Sequence, residues 1–213
     1  MKNINTIENV NKKFIHVCLK PIDRKYLDTV NEDNTSWLQK DGIYHNPLGL
    51  WIGCGDNWMK WIGKDIGYNQ WTLSSYIYNI IINDTVLRIS SVDEFKSFVH
   101  KYKKPDNQIT IGNIIDWNKL KQNYNGLVIC PYLGNDIFGK KADEIGIWGN
   151  KKAVQIYYEK LFGNKWKRNF MVLAEFYRHW ETGSGVIWHK DGISDIILLH
   201  KINSFVNILD NLK

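Results

Sequence analysis

The eight residues from Ser75 to Ile82 are the strongest strand signal in the chain. They include four isoleucines and two tyrosines, and β-branched and aromatic side chains favour the pleated backbone. Asn83 and Asp84 follow at once and favour a turn, after which residues 86–89 form a second short strand. The core of this chain is therefore expected to contain a β-sheet.

Other segments predict further strands and several short helices. Strands are expected at residues 14–19, 49–53, 127–130, 170–180 and 186–188, the last after a turn at 183–185. Helices are expected at 23–38, at 58–62 after Asp56, from Ser91 with Glu94 in a capping box, at 117–124, at 151–162 and at 194–212. Strands and helices do not alternate regularly, which favours an α+β fold of short helices and mostly antiparallel split sheets. We expect one domain, 14–213, after a flexible tail, 1–13.

Composition narrows the class of protein. Hydrophobic residues make up 44% and there are ten tryptophans, enough for a packed core. No apolar run approaches the roughly 18 residues that span a bilayer, and the polar start lacks the apolar segment of a signal peptide. The three cysteines are odd in number and widely spaced, which disfavours a disulfide framework. We therefore expect a protein that does not associate with membranes. We also expect it in a reducing compartment, the cytoplasm, which includes the cytoplasm of a host cell.

The excess of basic over acidic residues can be explained without a function. The chain carries a formal net charge of +6, but only four of its 28 basic residues are arginines. Lysine, asparagine and isoleucine dominate over alanine and arginine, as an AT-rich viral or parasitic genome would encode. Because arginine is the better bidentate reader of phosphates and guanines, its scarcity weakens a nucleic-acid interpretation.

Common catalytic motifs are absent from the sequence, and one metal hypothesis is available. There is no P-loop, no Gly-x-Gly-x-x-Gly after a strand, no Gly-x-Ser-x-Gly and no His-Glu-x-x-His. A hairpin around residues 183–185 could instead gather four ligands for iron, manganese or zinc, namely His179, Glu181, His189 and Asp191. Polar residues near a solvated hairpin tip explain the same pattern, so no metal is expected.

A succession of short motifs carries a family resemblance. His16 and Cys18 lie two residues apart on the first strand, so they share a face. Gly49-Leu-Trp-Ile-Gly53 follows, then a short helix, then Tyr76-Ile-Tyr78 on the strongest strand. Over residues 14–82 this order resembles the ADP-ribosyltransferase superfamily. Cys18 and Gly53 stand where that family has hydroxyl residues.

The resemblance implies an NAD-dependent glycosyltransferase that transfers ADP-ribose to a macromolecular acceptor, a protein or a nucleic acid. NAD would then be the co-substrate. His16 would hold its ribose, with Cys18 at the position of the hydroxyl residue. Gly49, Leu50 and Trp51 would line the cleft, and Tyr76 or Tyr78 would stack on the nicotinamide. The family's split antiparallel sheets agree with the fold expected above.

The sequence does not identify which carboxylate would act in such a site. Breaking the nicotinamide–ribose bond builds positive charge on the ribose, which a nearby carboxylate stabilises. Glu175 is the first candidate because strand-like residues flank it, followed by Glu181 and Glu144. Two alternatives remain open. The chain could be a catalytically silent interaction or nucleic-acid-binding protein, or Cys18 could act as a nucleophile with His16 as its base.

Overall fold

The strand signals of the sequence fold into one curled, seven-stranded sheet. The computed structural model describes residues 13–18, 20–23, 47, 49–55, 57, 75–111, 113–138, 151–180 and 182–202. Within these residues the strands are β1 Phe14–Cys18, β2 Leu50–Cys54, β3 Ser75–Ile82, β4 Val86–Ile89, β5 Gly126–Ile129, β6 Ser184–Ile187 and β7 Ile193–Ile202. Their order across the sheet is β4-β5-β6-β2-β1-β3-β7.

The sheet is antiparallel except where β4 pairs with β5. β3 and β4 follow each other in sequence through a three-residue link, although β4 forms one edge and β3 lies beside the other. The sheet must therefore curl to bring its edges together, and Arg88 Nη2 donates to the Ile82 carbonyl across the gap at 3.1 Å. The expected mixed fold with a mostly antiparallel sheet is confirmed, with its strands in one curled sheet instead of a split pair.

Five α-helices are present in the described part of the chain. They are α1 Val92–Tyr102, α2 Trp117–Lys121, α3 Gly134–Phe138, α4 Lys151–Phe162 and α5 Phe170–Leu173. The expected cap of α1 is confirmed, because Ser91 Oγ accepts from the Glu94 N–H at 3.3 Å. The Glu94 carboxylate accepts in turn from the Ser90 N–H at 2.7 Å. The helices expected at 23–38 and 58–62 lie outside the described residues, apart from Asp23.

The strand expected at 170–180 was wrong. This segment is α5 followed by a 3₁₀ helix, Glu175–Trp180. Asn169 begins it, since its side-chain oxygen accepts from the Met171 N–H at 3.0 Å. The Leu173 N–H then donates to the Asn169 carbonyl at 3.0 Å, and the Ala174 N–H to the Phe170 carbonyl at 2.8 Å. Every residue from 172 to 177 is buried, so burial gives no alternation to mark a strand. Capping and local helical hydrogen bonds therefore outweigh the strand propensity of the individual residues.

The terminal helix expected at 194–212 was also wrong over its described part. Residues 193–202 form β7, which pairs with β3 from Ser75/Ile202 to Ile82/Ile193. Closely spaced Ile and Leu side chains fit either structure, and pairing with β3 decides between them. Residues 203–213 lie outside the described part. The turn expected at 183–185 is shorter, because β6 already begins at Ser184.

The two faces of the sheet are both covered by apolar side chains. On one, the helix-covered face, Leu127, Ile129 and Val186 pack with α1, α2, α5 and the 3₁₀ helix. On the other, the inner face of the curl, Val128 and Ile187 pack with residues of β2, β3 and β4. Because successive strand residues point to opposite faces, each candidate residue on a described strand can be assigned to one of these two faces.

A disulfide joins β2 to the end of β5, which corrects the expectation from cysteine spacing. Cys54 and Cys130 are bonded, with 6.1 Å between their Cα atoms and a sequence separation of 76. Gly183 lies next to Cys54, whose N–H donates to the Gly183 carbonyl at 2.9 Å. This pairing is weakly at odds with the reducing compartment expected above. In the described residues, no helix has the length and apolar character needed to cross a bilayer.

The disulfide predicts a simple thiol count. In protein purified without reductant and then denatured, we expect one cysteine to react with a thiol reagent, and three after reduction, because Cys18 is the free cysteine. Mass spectrometry of the alkylated chain measures this directly. The Cys18→Ser variant is the control and should show no reactive thiol before reduction. Three reactive thiols in the unreduced wild type would contradict the pairing.

Candidate functional site

The candidate site begins where β1 and β2 stop pairing. Their ladder contains Phe14/Cys54 and Ile15/Gly53 and continues no further along β1. The Trp51 carbonyl, which the next step of the ladder would have used, instead accepts from His16 Nδ1 at 2.6 Å. The two strands therefore separate beyond Ile15, and an imidazole occupies the start of the separation.

The hydrogen bond of His16 fixes its tautomer. A carbonyl can only accept, so Nδ1 carries the proton and Nε2 is left as an acceptor. Burial lowers the pKa of His16 below its ordinary value of 6.5, and the hydrogen bond to Trp51 opposes this only in part. The ring is therefore neutral at physiological pH, which makes Nε2 an acceptor for a hydroxyl group.

Four of the other residues that the sequence singled out lie beside His16 on the inner face. In the register of β1 and β3, His16 is opposite Tyr78 and Cys18 is opposite Tyr76. Cys18, Leu50 and Tyr76 are partly buried against the apolar cluster of this face. The structure thus brings His16, Cys18, Leu50, Tyr76 and Tyr78 together on three neighbouring strands.

The two tyrosines of this face differ in accessibility. Their rings stack with centroids 6.4 Å apart and an interplanar angle of 18°. Tyr78 is buried, and its hydroxyl accepts from the Ile22 N–H at 3.2 Å. Tyr76 is partly exposed, and Lys201 Nζ on β7 lies 5.5 Å from its ring centroid. Tyr76 is therefore the ring that a ligand can reach, with a cation next to it.

Cys18 is a poor nucleophile in this setting. Its sulfur lies 3.0 Å from the Lys20 carbonyl, to which the thiol donates. Burial is the larger effect and raises the pKa of Cys18 to about 11. The thiolate is the reactive form, and it is scarce at physiological pH. The geometry accordingly gives no support to covalent catalysis by Cys18.

Two further cleft candidates have structural explanations. Trp51 points to the helix-covered face, where its ring makes an edge contact with Trp180 at 5.1 Å and 72°. Gly49 is packed against β6, because a Cβ at this position would collide with the Ile187 carbonyl and the Val186 side chain. Trp51 is thus remote from the inner face, and packing alone accounts for the glycine.

Glu175 lies with the helices, away from His16. Its neighbours Ala174 and Phe176 belong to the cluster of the helix-covered face. The carboxylate accepts from the Tyr158 hydroxyl at 3.0 Å and pairs with Arg178 Nε at 3.0 Å. Burial raises the pKa of Glu175, while Arg178 and then Tyr158 oppose the rise. The structure does not bring Glu175 and His16 to one face, and Glu144 and Glu181 lie outside the described residues.

The four residues of the metal hypothesis are described only in part. His189 and Asp191 lie on an exposed turn, where His189 Nδ1 accepts from the Asp191 N–H at 3.3 Å. The side chain of His179 and the whole of Glu181 fall outside the description. Among the described residues, no group of three or more His, Cys, Asp or Glu side chains could hold a metal ion.

The sequence analysis did not identify the charged neighbours of Glu175 and Tyr76, which are Arg178 and Lys201. Arg178 is three residues after Glu175, a spacing that marks an ion pair on a helix but goes unnoticed when the segment is interpreted as a strand. Lys201 was missed because its segment was expected to be helical. Comparison of the chain with protein-family models, with curated proteins and with solved structures gave no match.

Proposed function

We propose that this protein binds NAD on the inner face of the sheet, beside the separation of β1 and β2. The observation that carries the proposal is the position of His16. Its neutral imidazole stands at the start of the separation, and Cys18, Leu50 and Tyr76 line the same face. The resemblance to ADP-ribosyltransferases assigns these same residues to NAD.

Three parts of NAD, a ribose hydroxyl, the nicotinamide and the pyrophosphate, have a matching group on this face. The Nε2 lone pair of His16 accepts from a ribose hydroxyl. Tyr76 offers a partly exposed ring on which nicotinamide can stack, an arrangement that aromatic pairs favour. Lys201, exposed beside Tyr76, supplies positive charge for the pyrophosphate. The face therefore combines an acceptor, a ring and a cation within three adjacent strands.

Transfer of ADP-ribose to a macromolecular acceptor is the second step of the proposal. The bond between nicotinamide and the ribose carbon breaks, and its electron pair leaves with nicotinamide. The acceptor's nucleophile then bonds to that carbon and gives up its proton. A carboxylate must stabilise the positive charge that develops on the ribose. Glu175 is committed to Arg178 and Tyr158, so we assign this role to Glu181, which the sequence ranks next, ahead of Glu144.

Calorimetric titration with NAD tests the binding step. We expect the affinity to fall by about tenfold in His16→Ala and in Tyr76→Ala, since a lost hydrogen bond to a buried group or a lost stacking partner costs roughly 1–2 kcal/mol. His189→Ala is the matched control, because its imidazole is exposed on a turn, and it should bind as the wild type does. Wild-type protein that binds no NAD at millimolar concentration would overturn the whole proposal.

Nicotinamide release separates transfer from binding. We expect Glu181→Gln to abolish release from bound NAD while the affinity for NAD stays unchanged, and Glu175→Gln to retain release in the folded fraction. NAD binding without any nicotinamide release in the wild type would overturn the transfer step and favour a catalytically silent binding protein. Release that Glu181→Gln leaves intact would overturn the assignment of Glu181.

A further inference from the structure

The net charge of the chain is concentrated in two short segments. Residues 101–121 and 163–168 together contain eight lysines and arginines and two aspartates. This balance of +6 equals the formal net charge of the whole protein, so all the remaining residues sum to zero. Codon bias would raise lysine throughout the chain, whereas outside these two segments the basic and acidic residues are equal in total number.

The structure brings the two segments together at Asp106. The Asp106 carboxylate pairs with Lys103 Nζ at 2.7 Å and with Arg168 Nε at 3.0 Å. A single aspartate thus holds a cation from each segment, and the Arg168 side chain remains 76% exposed. The basic surface is defined as the side chains of the described residues of 101–121 and 163–168 that are not buried, and its two parts meet at Asp106.

A second pair of cations lies around one aromatic ring. The Nζ atoms of Lys101 and Lys119 lie 5.1 Å and 5.9 Å from the centroid of the same ring, that of Tyr102. Lys119 Nζ also donates to the Lys101 carbonyl at 3.0 Å. Both lysines are exposed. Two positive charges held around one ring form a binding position for an anionic group.

The character of this surface identifies the kind of partner. Protein interfaces need apolar or aromatic anchors and are depleted in lysine. The exposed large hydrophobic residues of the described chain are Ile81, Ile156, Leu161, Met171, Ile197 and Leu198, and none lies on the basic surface. Exposed amides at Asn107, Gln108, Asn118 and Asn164 accompany the cations instead. Cations and amide donors without apolar anchors suit a chain of phosphates.

We propose that the basic surface binds the phosphate backbone of nucleic acid without reading its sequence. Duplex DNA carries one charge per roughly 1.7 Å of its axis, far denser than an acidic peptide, and each neutralised phosphate releases condensed counterions. Arg168 is the only arginine of the surface, so bidentate reading of guanine by arginine has a single candidate there. Its cations are otherwise lysines, which bind phosphates as point charges. This surface is separate from the inner face and does not depend on NAD binding.

The test is fluorescence anisotropy of a labelled 20-base-pair duplex at several salt concentrations. We expect Lys101→Gln/Lys119→Gln to reduce the magnitude of the slope of log affinity against log salt by about 2, and to weaken binding at 0.1 M salt by on the order of tenfold or more. Lys152→Gln/Lys160→Gln is the matched control. It removes the same charge from exposed positions of α4 and should leave the slope near the wild-type value.

Three outcomes would overturn the proposal. The first is wild-type protein that does not bind the duplex at low salt, and the second is an equal change of slope in the two double variants. The third is polyglutamate of the same charge binding as tightly as the duplex, which would assign the surface to an acidic protein. Circular dichroism of each variant, compared with wild type, shows that any difference in slope belongs to folded protein.

Discussion

Arg178→Met is expected to lower the free energy of unfolding at pH 7 by about 3–5 kcal/mol, because it leaves a buried carboxylate without its counter-charge. The side chains of Glu175 and Arg178 are only 3% and 10% exposed, and their closest atoms are 3.0 Å apart. Methionine keeps much of the apolar volume that the arginine stem fills. Urea denaturation of variant and wild type measures the loss.

The loss should depend on pH in a definite direction. Burial raises the pKa of Glu175, and Arg178 is the first of the groups that oppose the rise. Without the guanidinium the folded-state pKa rises further above its ordinary value of 4.5. A carboxyl with a raised pKa favours folding below its unfolded pKa and loses that contribution as pH increases through its folded pKa. The deficit of the variant is therefore expected to grow from about pH 4.5 to pH 7.

A double variant distinguishes charge from packing. Glu175→Gln/Arg178→Met removes both charges, and the amide introduced at position 175 keeps an oxygen that can accept from the Tyr158 hydroxyl. Since replacing both partners of a buried ion pair by neutral groups is often nearly neutral, we expect most of the stability to return. If it does not, the contact of the guanidinium with the Phe138 ring, 4.4 Å from its centroid, would carry the stability instead.

The sequence predicted those elements whose local preference agrees with their tertiary contacts. β3 is dense in β-branched and aromatic residues and lies between two strands, while α4 occupies Lys151–Phe162 as expected. The failures have the opposite character. In β7 the Ile and Leu side chains fit a helix, and only pairing with β3, distant in sequence, selects the strand. No local pattern carries that information.

In the candidate site too, local sequence patterns predicted some features, and others depend on contacts between residues distant in sequence. Two residues apart on one strand must share a face, which correctly grouped His16 with Cys18, and the same rule accounts for Tyr76 and Tyr78. The register that sets these pairs opposite each other depends on strands 58 or more residues apart in sequence, and no motif encodes it. The sequence predicted a strand at Glu175, and a strand pattern does not indicate which residue would contact its side chain. On a helical turn its partner is Arg178, and the carboxylate becomes part of the core.

Phe95→Ala is expected to destabilise the fold by about 3–5 kcal/mol, in the range for a large aromatic side chain deleted from a core. Phe95 is fully buried at the centre of an aromatic cluster. Its ring centroid lies 5.0 Å from that of Tyr177, 5.8 Å from Phe176, 6.1 Å from Phe170 and 6.3 Å from Phe98. Alanine is the best helix former, so helix propensity in α1 does not account for a loss. Thermal and urea unfolding provide the measurement.

Phe170→Ala is the matched variant with which the loss of stability in Phe95→Ala is compared. Phe170 contacts the same cluster from its edge and is only partly buried, so its removal lets water or neighbouring side chains fill the space. We expect a loss less than half that of Phe95→Ala, and an intermediate loss for Phe95→Leu, which refills part of the cavity. Equal losses at the two phenylalanines would mean that α1 and α5 depend on the cluster alike, and would contradict a core centred on Phe95. The sheet's helix-covered face owes its stability to this cluster, because α1, α5 and the 3₁₀ helix all meet there.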